Sequence, residues 1–217
     1  MKKYEDFKRK KLEEAFAIIF STSSKTENSR RCAFAYDSKI AITFRHGVYH
    51  KSFYVGKILN IYNVNTEEQV KVGVLLINEQ ADIIVLLRLF GEFSVYPQSV
   101  THSSNIGDKY WSIGVHGSGL YCKQGHVQEF SKKYIIGSSQ GRYGDSGSAI
   151  LSELSLSLMG MVRALTDFDR RQIDPDTCIV KSAATHECLT VILPASVIAN
   201  TIPTVQEGDD EDIEQVD

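Results

Sequence analysis

Gly144-Asp145-Ser146-Gly147-Ser148-Ala149-Ile150 sets a serine between two glycines, just ahead of an apolar run. A serine so placed can sit on a tight turn with its hydroxyl exposed. Glycine at 144 admits backbone conformations that other residues resist. The N–H groups of Gly144 and Ser146 can then converge on one point, where they would stabilise an oxyanion. The same residue types also make ordinary surface turns, so this stretch alone leaves a nucleophile and a plain turn as alternatives.

Two further stretches bear on the choice, because a serine nucleophile needs a base and the base needs an orienting carboxylate. Upstream, Ile40-Ala41-Ile42-Thr43-Phe44-Arg45-His46-Gly47 reads as a strand that delivers a histidine at its end. Between the two, Ala81-Asp82-Ile83-Ile84-Val85-Leu86-Leu87-Arg88-Leu89 opens a buried apolar run with an aspartate. A carboxylate at the edge of a core requires a partner, and a histidine N–H would serve. His50, four residues after His46, lacks the strand-end setting and reads as a surface or turn residue.

The order His, Asp, Ser is that of chymotrypsin-type enzymes, and here the chain resembles the trypsin/chymotrypsin-like serine peptidases over about residues 31–200. Gly-Asp-Ser-Gly matches that family's nucleophile motif unchanged. Asp-Ile-Ile-Val-Leu-Leu-Arg-Leu is similar to its Asp-Ile-Ala-Leu-Leu-Arg-Leu segment, and Thr-Phe-Arg-His to its Thr-Ala-Ala-His. Asp82 follows His46 by 36 residues and Ser146 follows Asp82 by 64, short spacings like those of the compact bacterial, viral and intracellular branches. The resemblance implies an all-β fold of two six-stranded antiparallel barrels. His46 and Asp82 would come from the first barrel and Ser146 from the second. It implies a His46/Asp82/Ser146 triad, an oxyanion hole at Gly144 and Ser146, a polypeptide substrate and no cofactor.

The rest of the chain fits that frame. Leu12, Ala15, Phe16 and Ile19 follow helical spacing, so residues 3–20 read as an amphipathic helix. We assign residues 1–22 to this helix and 23–204 to the peptidase domain. Polar residues 21–30 read as a linker. Strands are expected at 31–36, 39–45, 53–64, 69–77 and 83–89, giving a first barrel over about 31–90. A second set at 110–115, 119–130, 133–138, 148–152, 157–165 and 187–192 gives a second barrel over about 109–193. Residues 91–108 form the connection, and Pro194 opens a short helix over 194–200. Residues 205–217 are strongly acidic and read as a disordered tail.

Composition sets outer limits. The 217 residues are 42% apolar, enough for a large core, and the formal charge of −3 offers no reason to expect nucleic acid as a partner. Four cysteines (Cys32, Cys122, Cys178 and Cys188) are too few for a disulfide-stapled secreted domain. With no signal-peptide pattern and no apolar run long enough to span a bilayer, the reading is cytoplasmic. Cys122, Cys178, His186 and Cys188 lack the close pairs of compact zinc motifs, so no metal is expected. Oligomeric state is not readable.

Departures from the family pattern carry expectations of their own. Phe44 and Arg45 replace two small residues and add bulk beside His46. Gly47 stands where secreted relatives have a cysteine. No Ile-Val-Gly-Gly sequence supplies an N-terminus to pair with Asp145, which must find another partner or be solvated. In the expected substrate pocket, Gln140 stands where trypsins carry Asp, and Val162 where glutamyl-specific relatives carry His. Ala164 lies in the same wall segment, and Leu165 replaces a glycine. The pocket should be narrow and take a small or uncharged side chain. A catalytically inactive protease-fold protein serving as a binding or scaffolding module is the alternative to an endopeptidase.

Overall fold

The computed structural model describes residues 2–23, 31–47, 52–116, 119–131, 133–142, 144–166 and 188–203, with only the backbone of 2–9. The expected histidine at 50, the linker from 24, Cys178, His186 and the acidic tail lie outside these residues.

Helix α1 (Lys2–Ala17) leads into β1 (Ile19–Ser21), β2 (Cys32–Ala35), β3 (Ile40–Phe44), β4 (Ile58–Asn63), β5 (Gln69–Asn78) and β6 (Ile83–Arg88). Then follow β7 (Lys109–His116), β8 (Gly119–Ser131), β9 (Tyr134–Gly137), β10 (Ala149–Ser152), β11 (Leu158–Thr166), β12 (Leu189–Pro194) and α2 (Ala195–Ala199). The first six strands close into a barrel in the order β1-β2-β3-β6-β5-β4, and the last six in the order β10-β11-β12-β9-β8-β7. Every pairing is antiparallel apart from one isolated bridge between Val100 and Leu158. Closure leaves no unpaired edge to either sheet. This is the two-barrel, all-β architecture expected from the sequence.

One boundary needs correction. The helix ends at Ala17, and residues 19–21, assigned above to the helical segment 1–22, form the strand that closes the first barrel. Ile18, Ile19 and Phe20 are all buried. Three consecutive buried residues suit a strand with both faces covered better than one stripe of a helix. The helix is stopped by its surroundings. Asn63 donates its side-chain N–H to the Ala17 carbonyl at 2.8 Å, and Ala35 N–H bonds the Ile18 carbonyl at 2.9 Å. Phe20 then meets Phe93 edge-on, with ring centroids 5.2 Å apart.

Side-chain alternation on β7 explains how the barrels join. Trp111, Ile113 and Val115 point to one face and belong to the same apolar cluster as the first barrel's core. Ala149, Leu151, Leu158, Met161 and Leu193 complete the second barrel's share of that cluster. Tyr110, on the opposite face, joins Val127, Ile135, Ile150, Met159, Val162 and Ile192 in a smaller cluster of the second barrel. At about 25 cal/mol per Å² of apolar surface removed from water, the shared cluster favours one fixed arrangement of the two barrels. The connection is pinned as well: Phe93 N–H bonds the Ser38 carbonyl, and Thr101 N–H the Leu158 carbonyl, each at 2.8 Å.

Pro194 ends β12 and caps α2 in an extended conformation, so the short terminal helix begins at Ala195. Among the described residues no helix is long and apolar enough to cross a membrane, Cys32 and Cys188 are free thiols, and no cluster of potential metal ligands occurs.

Candidate active site

His46 leaves the end of β3, Asp82 stands just before β6, and Ser146 lies on the turn ahead of β10. β3 and β6 pair from Ile40↔Leu87 to Phe44↔Ile83, which brings His46 and Asp82 side by side. Arg45 N–H bonds the Asp82 carbonyl at 3.0 Å, extending the ladder one step. Asp82 has a φ of +61°, a conformation that asparagine and aspartate tolerate better than most residues. Its side chain turns back toward the histidine. Oδ1 accepts the backbone N–H of His46 at 2.9 Å, and Oδ2 lies 2.5 Å from His46 Nδ1. His46 Nε2 lies 3.0 Å from Ser146 Oγ, across the boundary between the barrels. A carboxylate beside Nδ1 assigns the proton to that nitrogen, leaving Nε2 to accept from the serine hydroxyl.

The bulk at Phe44 does not push the histidine aside. Phe44 is buried with its ring centroid 4.7 Å from that of His46. Gly147, at φ +85°, leaves the space Phe44 occupies: a Cβ there would lie 2.6 Å from Phe44 Cδ1 and 2.5 Å from the Cys32 carbonyl oxygen. Arg45 turns outward to Glu79 at 2.5 Å.

Three cations near the site escaped the sequence reading. Arg31, at the foot of β2, is buried, stacks 4.4 Å from the Phe44 ring centroid and donates to the carbonyls of Arg45 and His46. Burial lowers its pKa from 12.5 to about 10, against the opposing attraction of Asp82. Arg163 sits where β11 bulges against β12. Its Nε is 3.6 Å from Asp82 Oδ2, and its guanidinium lies 4.8 Å from the Tyr134 ring centroid. Asp82 therefore faces both His46 and Arg163. Lys123, on β8, donates to Asp145 Oδ2. Asp145 is thus paired inside the fold. No local pattern marks these residues, because each meets its partner only through the barrel pairing.

Behind the serine, Cys32 is enclosed, and burial raises its thiol from 9.0 to about 12. It is a packing residue, in keeping with Ser146 rather than a cysteine standing on the turn.

On the expected oxyanion side, Gly144 has a φ of +95°. The amides of Asp145, Gly147 and Ser148 bond the carbonyls of Arg142, Val162 and Asp145. Neither Gly144 nor Ser146 donates its N–H to an acceptor among the described residues. Of the expected pocket residues, the structure brings Leu165 against the Gln140–Arg142 segment. A Cβ on Gly141 would lie 1.9 Å from Leu165 Cδ2, so the leucine fills the gap there. Gln140 is exposed, whereas Val162 is 1% exposed inside the second barrel's cluster and Ala164 packs with Ile136 and Val191. Inward alternation along β11 takes Val162 into the core, and the bulge turns Ala164 to the other face.

Two closed six-stranded barrels sharing one apolar cluster make the fold that of the chymotrypsin-like serine proteases. Solved structures agree. The Rv3671c protease of M. tuberculosis, in an inactive form, superposes with a TM-score of 0.62 at 13% identity, over 87% of this chain and 89% of that one. The serine endoprotease from Yersinia pestis matches with a TM-score of 0.66 at 14% identity, over 89% of this chain and 64% of that one. The MamO protease domain from Magnetospirillum magneticum, in its apo form, matches with a TM-score of 0.63 at 13% identity, over 88% and 99%. No protein-family model matches the chain, and no curated protein matches its sequence.

Proposed function

We propose that the protein is a serine endopeptidase that hydrolyses peptide bonds through an acyl-enzyme on Ser146. The observation that carries this reading is the unbroken hydrogen-bonded line from Asp82 through His46 to Ser146, at 2.5 and 3.0 Å, between residues far apart in the chain. His46 Nε2 takes the Ser146 proton as Oγ attacks the carbonyl carbon, then gives it to the leaving amine. Asp82 holds the Nδ1–H tautomer and stabilises the imidazolium. The Gly144 and Ser146 amides receive the oxyanion. Water then attacks the acyl carbon as His46 Nε2 removes its proton, and His46 returns that proton to Ser146 Oγ as the acyl–oxygen bond breaks and the acid product leaves.

Leu165 sets the preference. With its side chain in the gap beside Gly141, the site should cleave after small or uncharged residues. A peptide-library digest by the wild type should show this, and Leu165→Gly should extend cleavage to larger side chains. One methylene in a hydrophobic pocket is worth about 10–200-fold in discrimination, so removing the whole Leu165 side chain should shift the profile by at least about tenfold. Cleavage chiefly after Lys, Arg or Glu, or an unchanged profile in Leu165→Gly, would contradict the assignment. The same crowding favours a second reading, a binding module on a protease fold, for which the library would stay uncut by wild type and Ser146→Ala alike.

A further inference from the structure

The segment that carries the candidate nucleophile contains a buried carboxylate. Asp145 is 3% exposed, and a charge taken out of water requires a counter-charge and hydrogen bonds. A partner comes from β8. Lys123 Nζ donates to Asp145 Oδ2 and, at 2.9 Å, to the Gln140 carbonyl. The same Oδ2 accepts the Arg142 N–H at 2.7 Å. One ammonium therefore ties both ends of the turn, at Gln140 and at Asp145.

The ammonium is itself fixed. Lys123 pairs with Ser112 in the β7–β8 ladder, its side chain is 19% exposed, and its Nζ lies 4.8 Å from the Tyr121 ring centroid. Tyr121 Oη in turn bonds Ser148 Oγ at 2.7 Å, on the far side of Ser146. Successive side chains of a strand face opposite ways, so Tyr121 and Lys123, two residues apart on β8, reach the two flanks of the turn together.

We infer that Lys123 is a positioning residue. It holds residues 140–142 and 144–146 in the shape that directs the Gly144 and Ser146 amides to one point, with its ammonium as a counter-charge to Asp145. This inference rests on the peptidase reading above. Lys123 does not touch the reacting atoms; it acts through Asp145 and the Gln140 carbonyl.

The test compares wild type, Lys123→Arg, Lys123→Met and Lys123→Met/Asp145→Asn by the rate of labelling with a fluorophosphonate and by amide hydrogen exchange over residues 140–147. The double variant removes both charges and so keeps the test if Lys123→Met alone does not fold. The neutral variants should label about 100-fold more slowly, the size of losing one oxyanion donor. Their 140–147 amides should exchange faster while the strands stay protected. Lys123→Arg, still cationic and able to reach both acceptors, should recover most of the rate. Folded neutral variants with wild-type labelling and wild-type exchange would overturn the role of Lys123. A folded wild type that takes no label would contradict the peptidase reading instead. The exchange comparison would then decide alone whether Lys123 orders the turn.

Discussion

Alanine at position 46 is expected to lower turnover of a cleavable peptide by about a million-fold, and Ser146→Ala should cost about as much. The two changes together should add little to either alone, because nucleophile and base act as one unit. What remains should be the small acceleration due to binding and the oxyanion site. The fold should survive. The His46 side chain is 11% exposed, and its loss leaves Asp82 with the backbone N–H at 2.9 Å and with Arg163 Nε at 3.6 Å. Turnover is read beside the denaturant midpoint of each variant. A loss of less than about tenfold in folded His46→Ala would remove the histidine from the proton-transfer step.

The second large effect is expected at Asp82. Asparagine suits the φ of +61° as aspartate does, so Asp82→Asn changes chemistry without changing backbone. Its amide oxygen can still accept the His46 backbone N–H. The amide nitrogen then takes the place of Oδ2, opposite Nδ1. A donor there forces Nδ1 to accept, which moves the ring proton to Nε2, where it faces Ser146 and cannot be replaced by the serine's own. Turnover should fall about 10⁴-fold, with substrate binding little changed. Asp82→Ala is a poorer test, because alanine at positive φ adds strain. Equal activity in Asp82→Asn and wild type would mean that the 2.5 Å contact does not set the tautomer.

How far the sequence could be read depended on how local each signal was. Eleven strands announced themselves through alternation and turn residues. The twelfth did not, because Ile19 continues the helical spacing of Leu12, Ala15 and Phe16, and only the pairing with Phe34 and Asn63 places residues 19–21 in a strand. His46, Asp82 and Ser146 were legible as candidates because each lies in a local stretch with its own signal: a histidine after a strand, an aspartate opening an apolar run, and a serine between two glycines. Arg31, Lys123 and Arg163 were not. Their roles depend on partners reached through barrel closure, at distances no local pattern encodes. Val162 shows the converse: its position in the motif suggested a pocket wall, but its place in the strand's alternation puts it in the core. Phe44 looked like an obstruction and packs instead into the space left by Gly147.

The central claim is that Ser146 is a nucleophile activated by His46. Its most direct test is mass spectrometry of the folded protein after exposure to a fluorophosphonate. The account predicts a single adduct that maps to Ser146, absent from Ser146→Ala and strongly slowed in His46→Ala. A folded wild type that stays unlabelled, or an adduct that persists in Ser146→Ala, would contradict it.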